Sequence, residues 1–318
     1  MGGSGQTQQQ QQHSASPRVV VVTRPTRLEI LLERHGTRGQ AAFYQQSRGQ
    51  AIEPLQAEHE RMQAGLSAVM GQLPAEQRRT HVDRSELDRF LFAPDDIVLV
   101  VGQDGLVANT AKYLSGQLVA GVNPDFELFE GVLCPHHPRD VAALLQFCGA
   151  GGGVHFRIEH RSMARARRED GQTLVALNDV FVGHSSHQSA RYRLHSEGRE
   201  ERQSSSGIIC STGTGATGWA RSIVLQRGIS QPLPSAQERS LAWFVREPWP
   251  SVSTGAELNF GYCADGQPLR VVSEMGSGGV IFADGIETDR LEFLEGHSVE
   301  LSPAEHTLNL VLPADGTP

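Results

Sequence analysis

The chain has 318 residues, 38% of them hydrophobic, enough to fill two cores of ordinary size. Its net charge is −8 and it has no basic cluster long enough to neutralise a nucleic-acid backbone, which argues against DNA or RNA as the main partner. No apolar run approaches the roughly 20 residues that span a bilayer, and Cys134, Cys148, Cys210 and Cys263 form no CxxC pair, so the sequence reads as a cytoplasmic protein with reduced thiols.

Residues 1–17, glycine- and serine-rich at the front and then an unbroken glutamine run over 8–12, lack the apolar core of a signal peptide and read as a disordered tail. From 18 to 148, strand and helix signals alternate. A β-branched run occupies 19–22, and Leu28, Ile30, Leu31 and Leu32 give 26–35 a helical spacing. Met62, Leu66, Val69, Met70 and Leu73 then mark one face of an amphipathic helix. The apolar strand Ile97–Val101, a helix over 107–115, a strand over 118–122 and a helix over 138–148 follow. This order predicts a Rossmann-like α/β nucleotide-binding unit whose parallel sheet is covered on both faces.

Gly149-Ala150-Gly151-Gly152-Gly153 is too flexible for an element interior and reads as a hinge. Beyond it, to residue 302, short period-two runs at 154–158, 174–182, 190–195, 207–210, 257–262, 269–272, 280–282 and 291–293 predict a β-sandwich-like dinucleotide-binding unit. Segments 222–225 and 237–244 read as helical or irregular, and 303–318 as a C-terminal tail that could return to the first unit.

Three constellations carry chemistry. Gly102-Gln103-Asp104-Gly105 follows a buried strand, where glycines let backbone N–H groups approach an anion and Asp104 adds a carboxylate. The same four residues also make an ordinary turn. Asn178-Asp179 interrupts an apolar run with two adjacent polar side chains, which places one of them on each face of the strand. Ser211-Thr212-Gly213-Thr214-Gly215-Ala216-Thr217-Gly218-Trp219 offers hydroxyls, backbone donors and a flat ring on which a base can stack. Lysine occurs once, at Lys112, so cationic contacts to phosphate fall to arginines. Cys134, His136 and His137, and likewise His184 and His187, read as loop residues rather than metal ligands.

In order and spacing these motifs resemble the NAD kinases, which carry a Gly-Gly-Asp-Gly loop, an Asn-Glu/Asp pair and a Thr-rich, Gly-containing loop ending in an aromatic. The similarity is to the mitochondrial-type branch and extends to Gly121-Val122-Asn123-Pro124-Asp125, Glu130-Gly131 through Cys134, Ser205-Ser206-Gly207, and residues 177–183, over roughly 19–300. The resemblance implies transfer of the γ-phosphoryl group of ATP, with Mg²⁺, to the adenosine ribose 2′-hydroxyl of NAD, giving NADP. It also implies a homodimer or larger homo-oligomer. Asp104 falls on the family's catalytic aspartate, expected to act without a structural duty. Gly102, Gln103, Gly105, Asn123, Asn178, Asp179, Thr212, Gly213, Thr214, Gly215, Thr217, Trp219 and Ser222 fall on its nucleotide-contacting positions. Asp284-Gly285 resembles a late Asp-Gly turn near the nucleotide site. Gln103 stands in place of the second glycine and Leu106 in place of a threonine. A related kinase acting on a sugar or lipid hydroxyl, or a dinucleotide-binding protein without turnover, is the alternative.

Overall fold

The computed structural model describes residues 16–150 and 154–314. Residues 1–15 of the expected tail, 151–153 of the expected hinge, and 315–318 lie outside them. Three six-stranded sheets organise the chain. In the first, the strands run in the spatial order Arg79–Asp83, Val19–Thr23, Ile97–Val101, Leu118–Val122, Leu308–Pro313 and Phe156–Arg161. All pairs are parallel except the last, where Phe156–Arg161 runs antiparallel along the edge.

Val19–Thr23 and Ile97–Val101 are almost wholly apolar because both faces of this sheet are covered. Helices α1 (Arg27–His35), α2 (Arg38–Gln46), α3 (Glu53–Gln72), α4 (Asp104–Ala111) and α5 (Val141–Ala150) supply the covering. One face packs Val19, Val21, Leu99 and Val101 against Val69 of α3 and Leu144 of α5. The other packs Val20, Val98 and Val100 against Leu106 and Val107 of α4 and, from the β-rich unit, Leu177 and Met163. That second core joins the two halves of the molecule.

The other two sheets are antiparallel and face each other as a sandwich. One orders Arg199–Ser205, Ala190–Ser196, Leu269–Ser273, Ser298–Pro303, Ala164–Arg168 and Thr173–Ala176. Its partner orders Phe260–Ala264, Ser240–Val245, Ile208–Ser211, Asp179–His184, Gly279–Ala283 and Ile286–Glu292. Val180, Val182, Cys210, Trp243 and Ile281 point into the sandwich. The alternate residues Phe181, Ile209, Phe244 and Phe282 point outward, under α6 (Trp219–Arg227). Among the described residues no helix is long and apolar enough to cross a membrane.

The expected two-part α/β and β-sandwich organisation is present, with differences in detail. Phe156–Arg161 lies beyond the expected boundary at 149, yet it completes the first sheet by pairing with Leu308–Pro313. The apolar run 174–182 is two strands, broken at Leu177-Asn178 where the backbone turns its N–H groups to Asp284. Segment 237–244 holds the strand Ser240–Val245 rather than a helix, since Trp243 and Phe244 alternate between the two faces.

Gly121 leaves no room for a side chain. A Cβ there would lie 2.1 Å from the Leu133 carbonyl oxygen and 2.7 Å from Cys134 Cα. Gly121→Ala should therefore destabilise the protein by about 2–3 kcal/mol, read as a lowered melting temperature, because strand and loop backbones must separate.

Candidate functional site

The 131–134 loop pressed against Gly121 is held from its other side by Asp104. The Asp104 carboxylate, on the first residue of α4, accepts N–H groups from Val132 at 3.0 Å, Leu133 at 2.9 Å and Cys134 at 3.1 Å. Asp104 thus has a structural duty, contrary to expectation, and keeps one acceptor site beyond these three bonds. Gln103 caps α4 at φ −107°, an ordinary extended conformation, so its side chain imposes no backbone strain. Gly105 sits in the first turn of the helix with open space where a Cβ would be.

Gln103 also lines a cleft of about 380 Å³ with Arg24, Thr26, Arg27, Glu58 and Phe129. The cleft lies where the strands Val19–Thr23 and Ile97–Val101 end and α1 and α4 begin, so two helix N-termini open onto it. Thr26 caps α1, bonding reciprocally with Glu29. Arg27 pairs with Glu58. Half-buried Arg24 has its charge disfavoured first by burial and then by the neighbouring Arg84. Glu58 offsets part of this charge, pairing with Arg27 and favouring the charged form of Arg24, and the cleft still sets two guanidinium groups against one carboxylate beside two helix N-termini, an arrangement that suits an anion. Sequence reasoning missed Arg24 and Arg84 because their proximity exists only in space.

Across the junction the other motifs interlock. Asp284 accepts N–H groups from Leu177 at 2.8 Å, Asn178 at 2.7 Å and Asp179 at 3.3 Å, holding the segment that enters strand Asp179–His184. Its own backbone sits at φ 52°, and Asn109 of α4 donates to its carbonyl at 3.3 Å. Asp284 is therefore a central anchor rather than a remote contact. Thr212, fully buried, donates to the Leu177 carbonyl at 2.5 Å and accepts from Gly215 N–H at 3.2 Å. A Cβ on Gly215 would lie 2.2 Å from the Asn178 oxygen, and one on Gly213 would lie 2.0 Å from that of Ser235. Backbone packing thus accounts for both glycines and for the Thr212 hydroxyl.

The remaining expected residues divide. Asn123 is fully buried, its amide donating to Phe129 and accepting from Asp125, both at 2.9 Å, so its side chain shapes a loop below the cleft and is not open to a ligand. Thr217 donates to the Thr214 carbonyl at 3.2 Å. Trp219 opens α6 with 37% of its surface exposed, and Ser222 lies exposed further along it. Gly102 ends the loop's approach, with Leu106 Cδ2 at 3.3 Å from where a Cβ would stand.

Arg161, also missed in the sequence, connects the halves. Buried at the end of strand Phe156–Arg161, it lies 2.9 Å from Glu159 and reaches Thr214 Oγ1 at 3.4 Å; burial disfavours its charge, while Glu159 and, more weakly, Asp104 favour it. The Arg161 guanidinium thus bonds the threonine loop from the edge of the first sheet, within the weak field of Asp104. His136, read from the sequence as a loop residue, is buried and donates to the Val311 carbonyl at 2.8 Å.

Burial and the charge of Asp284 push the Asp179 carboxyl up to about 7. A carboxyl raised above its unfolded value binds its proton more tightly when folded, so its stabilising contribution is present at low pH and is lost as pH rises through about 7. Asp179→Asn should be more stable than wild type by about 1–2 kcal/mol near pH 8, with the difference shrinking as pH falls below about 7 and vanishing only near pH 4, the ordinary carboxyl value. Melting temperatures of both proteins across that range check it. A variant equally destabilised at both ends would contradict the assigned repulsion.

No family model matches the chain, and no curated protein sequence matches it. Solved structures do. A yeast NADH kinase complexed with NADH superposes with a TM-score of 0.57 at 12% identity, covering 94% of this chain and 84% of that one. An NAD kinase from Archaeoglobus fulgidus in complex with ATP gives 0.53 at 16% identity, covering 93% and 92%. The chain is thus built on the two-domain fold of the NAD and NADH kinases.

Proposed function

We propose that the protein is an ATP-dependent kinase that phosphorylates the adenosine ribose 2′-hydroxyl of NAD to give NADP. The observation that carries this reading is the anion cleft beside Asp104, with Arg24, Arg27 and two helix N-termini on one side and the threonine loop joined through Arg161 on the other. The shared fold supports it, since one similar structure holds ATP and the other NADH.

In this reading Arg24, Arg27 and the helix N-termini hold the triphosphate, and the Gln103 amide bonds a phosphate or ribose oxygen. Asp104, fixed by three N–H groups, presents its remaining acceptor site to the ribose hydroxyl. The proton leaves the 2′-oxygen for that carboxylate as the oxygen attacks the γ-phosphorus and ADP departs with the bridging oxygen. Among the described residues no group of three His, Cys, Asp or Glu side chains is arranged to hold a metal. Mg²⁺ carried in with ATP would supply charge neutralisation to the triphosphate held by Arg24 and Arg27. In this reading Asn178 and Trp219 contact the dinucleotide. Since the three bonds alone give Asp104 a reason to exist, a dinucleotide-binding protein without turnover is the second reading.

Kinetics separate the two. Wild-type protein with Mg-ATP and NAD should form NADP, and Asp104→Asn should lower kcat by about two or more orders of magnitude. The amide turned toward Val132 N–H also costs about 1–3 kcal/mol, so the melting temperature falls as well. Dinucleotide binding without any NADP formation by the wild type would favour the second reading. Arg24→Gln should raise KM for ATP by about tenfold, equivalent to one charge-assisted contact, and leave KM for NAD unchanged. Equal changes in both constants would remove Arg24 from the phosphate cleft.

A further inference from the structure

Asp179 is a carboxylate without a counter-ion. Its side chain is half-buried, and no described residue bonds or pairs with it. The charge that acts on it is another negative one, Asp284, which three backbone N–H groups hold in place.

The neighbouring elements offer the pair little relief. On the adjacent strand Cys210 is a buried thiol kept protonated by its contact with Cys263 and by burial. From α4, Lys112 acts on Asp284, but its ammonium is bound to Asp289 at 2.7 Å. Arg246 lies over the Trp219 ring, 5.0 Å from its centroid, and 3.5 Å from Glu247.

Beside this pair runs a wall of aromatic rings. Asp179 and Phe181 alternate onto the same outward face of their strand. Phe282 stacks on Phe181 at 4.8 Å, and Trp219 lies parallel to Phe181 at 6.2 Å and 7°. Trp219 keeps its 37% exposure on this side of the sandwich. A flat apolar wall on the same strand face as the unpaired Asp179 carboxylate suits a flat aromatic cation and repels phosphate. The guanidinium charge and helix N-termini that attract phosphate lie in the separate cleft of the first domain.

If the acceptor is a pyridine dinucleotide, as proposed above, it carries one cationic group, the oxidised nicotinamide ring, which loses that charge on reduction. We propose that Asp179, backed by Asp284, makes the site select the oxidised, cationic pyridine nucleotide over the reduced one. Protonating Asp179 removes the preference. With the carboxyl pushed up to about 7, the preference falls as pH drops from about 8 to about 6.

Calorimetric titration of the full chain with NAD and with NADH tests this without turnover. Near pH 8 the wild type should bind NAD on the order of tenfold more tightly than NADH, and the ratio should shrink near pH 6. Asp179→Asn should bind both alike at either pH, and Asp179→Glu should keep the preference. An Asp179→Asn protein that binds both nucleotides with the wild-type ratio overturns this inference and leaves the kinase reading standing. A wild type that binds neither overturns the acceptor assignment itself, and this inference with it.

Discussion

Three consecutive backbone N–H groups pointing at one carboxylate hold the candidate site together. Asp284 does this to Leu177, Asn178 and Asp179, and the consequences spread outward from that segment. With Leu177 fixed, its carbonyl takes the Thr212 hydroxyl, and with Asn178 fixed, its carbonyl takes the Thr212 N–H and closes over Gly215. Asp104 repeats the device in the first domain, on Val132, Leu133 and Cys134. Bonds of this charge-assisted kind contribute about 1.5–3 kcal/mol each, so the loops are fixed before any ligand arrives. Catalysis by positioning depends on that order of events.

The second constraint is a separation of charge. The protein is acidic overall, with a net charge of −8, and its single lysine is committed to Asp289. In the first domain, attraction for a polyanion comes from Arg24 and Arg27 after strand Val19–Thr23, beside two helix N-termini. In the β-rich unit, Asp179 and Asp284 set two carboxylates against each other. Arg161 sits between, at the end of the edge strand, paired with Glu159 and bonded to Thr214. Guanidinium charge at the first domain's cleft draws phosphate groups toward it.

Much of the fold was legible because periodicity follows burial. Ile97–Val101 is apolar throughout because both faces are covered, and the period-two runs after the hinge alternate because one face of each strand meets the sandwich core. Strands Arg79–Asp83 and Arg199–Ser205 escaped detection because they lie at sheet edges, where polar residues carry no apolar pattern. The site was legible in part for a different reason. Motifs that are contiguous in sequence, such as Thr212–Gly215, could be singled out, but not whether they serve a ligand or the backbone. Asn123 and Thr212 turned out to be enclosed by their own loops. Arg24, Arg84 and Arg161 are isolated residues whose role comes from neighbours distant in sequence.

The central claim is that the anion cleft of the first domain and the threonine loop of the second bring donor and acceptor together at Asp104. A structure of the ternary complex with NAD and a non-hydrolysable ATP analogue tests it most directly. The expected result places the γ-phosphorus about 3–3.5 Å from the adenosine 2′-oxygen, with that oxygen in hydrogen-bond reach of the Asp104 carboxylate. A γ-phosphate outside the Arg24 cleft, or a 2′-oxygen turned away from Asp104, would contradict the claim.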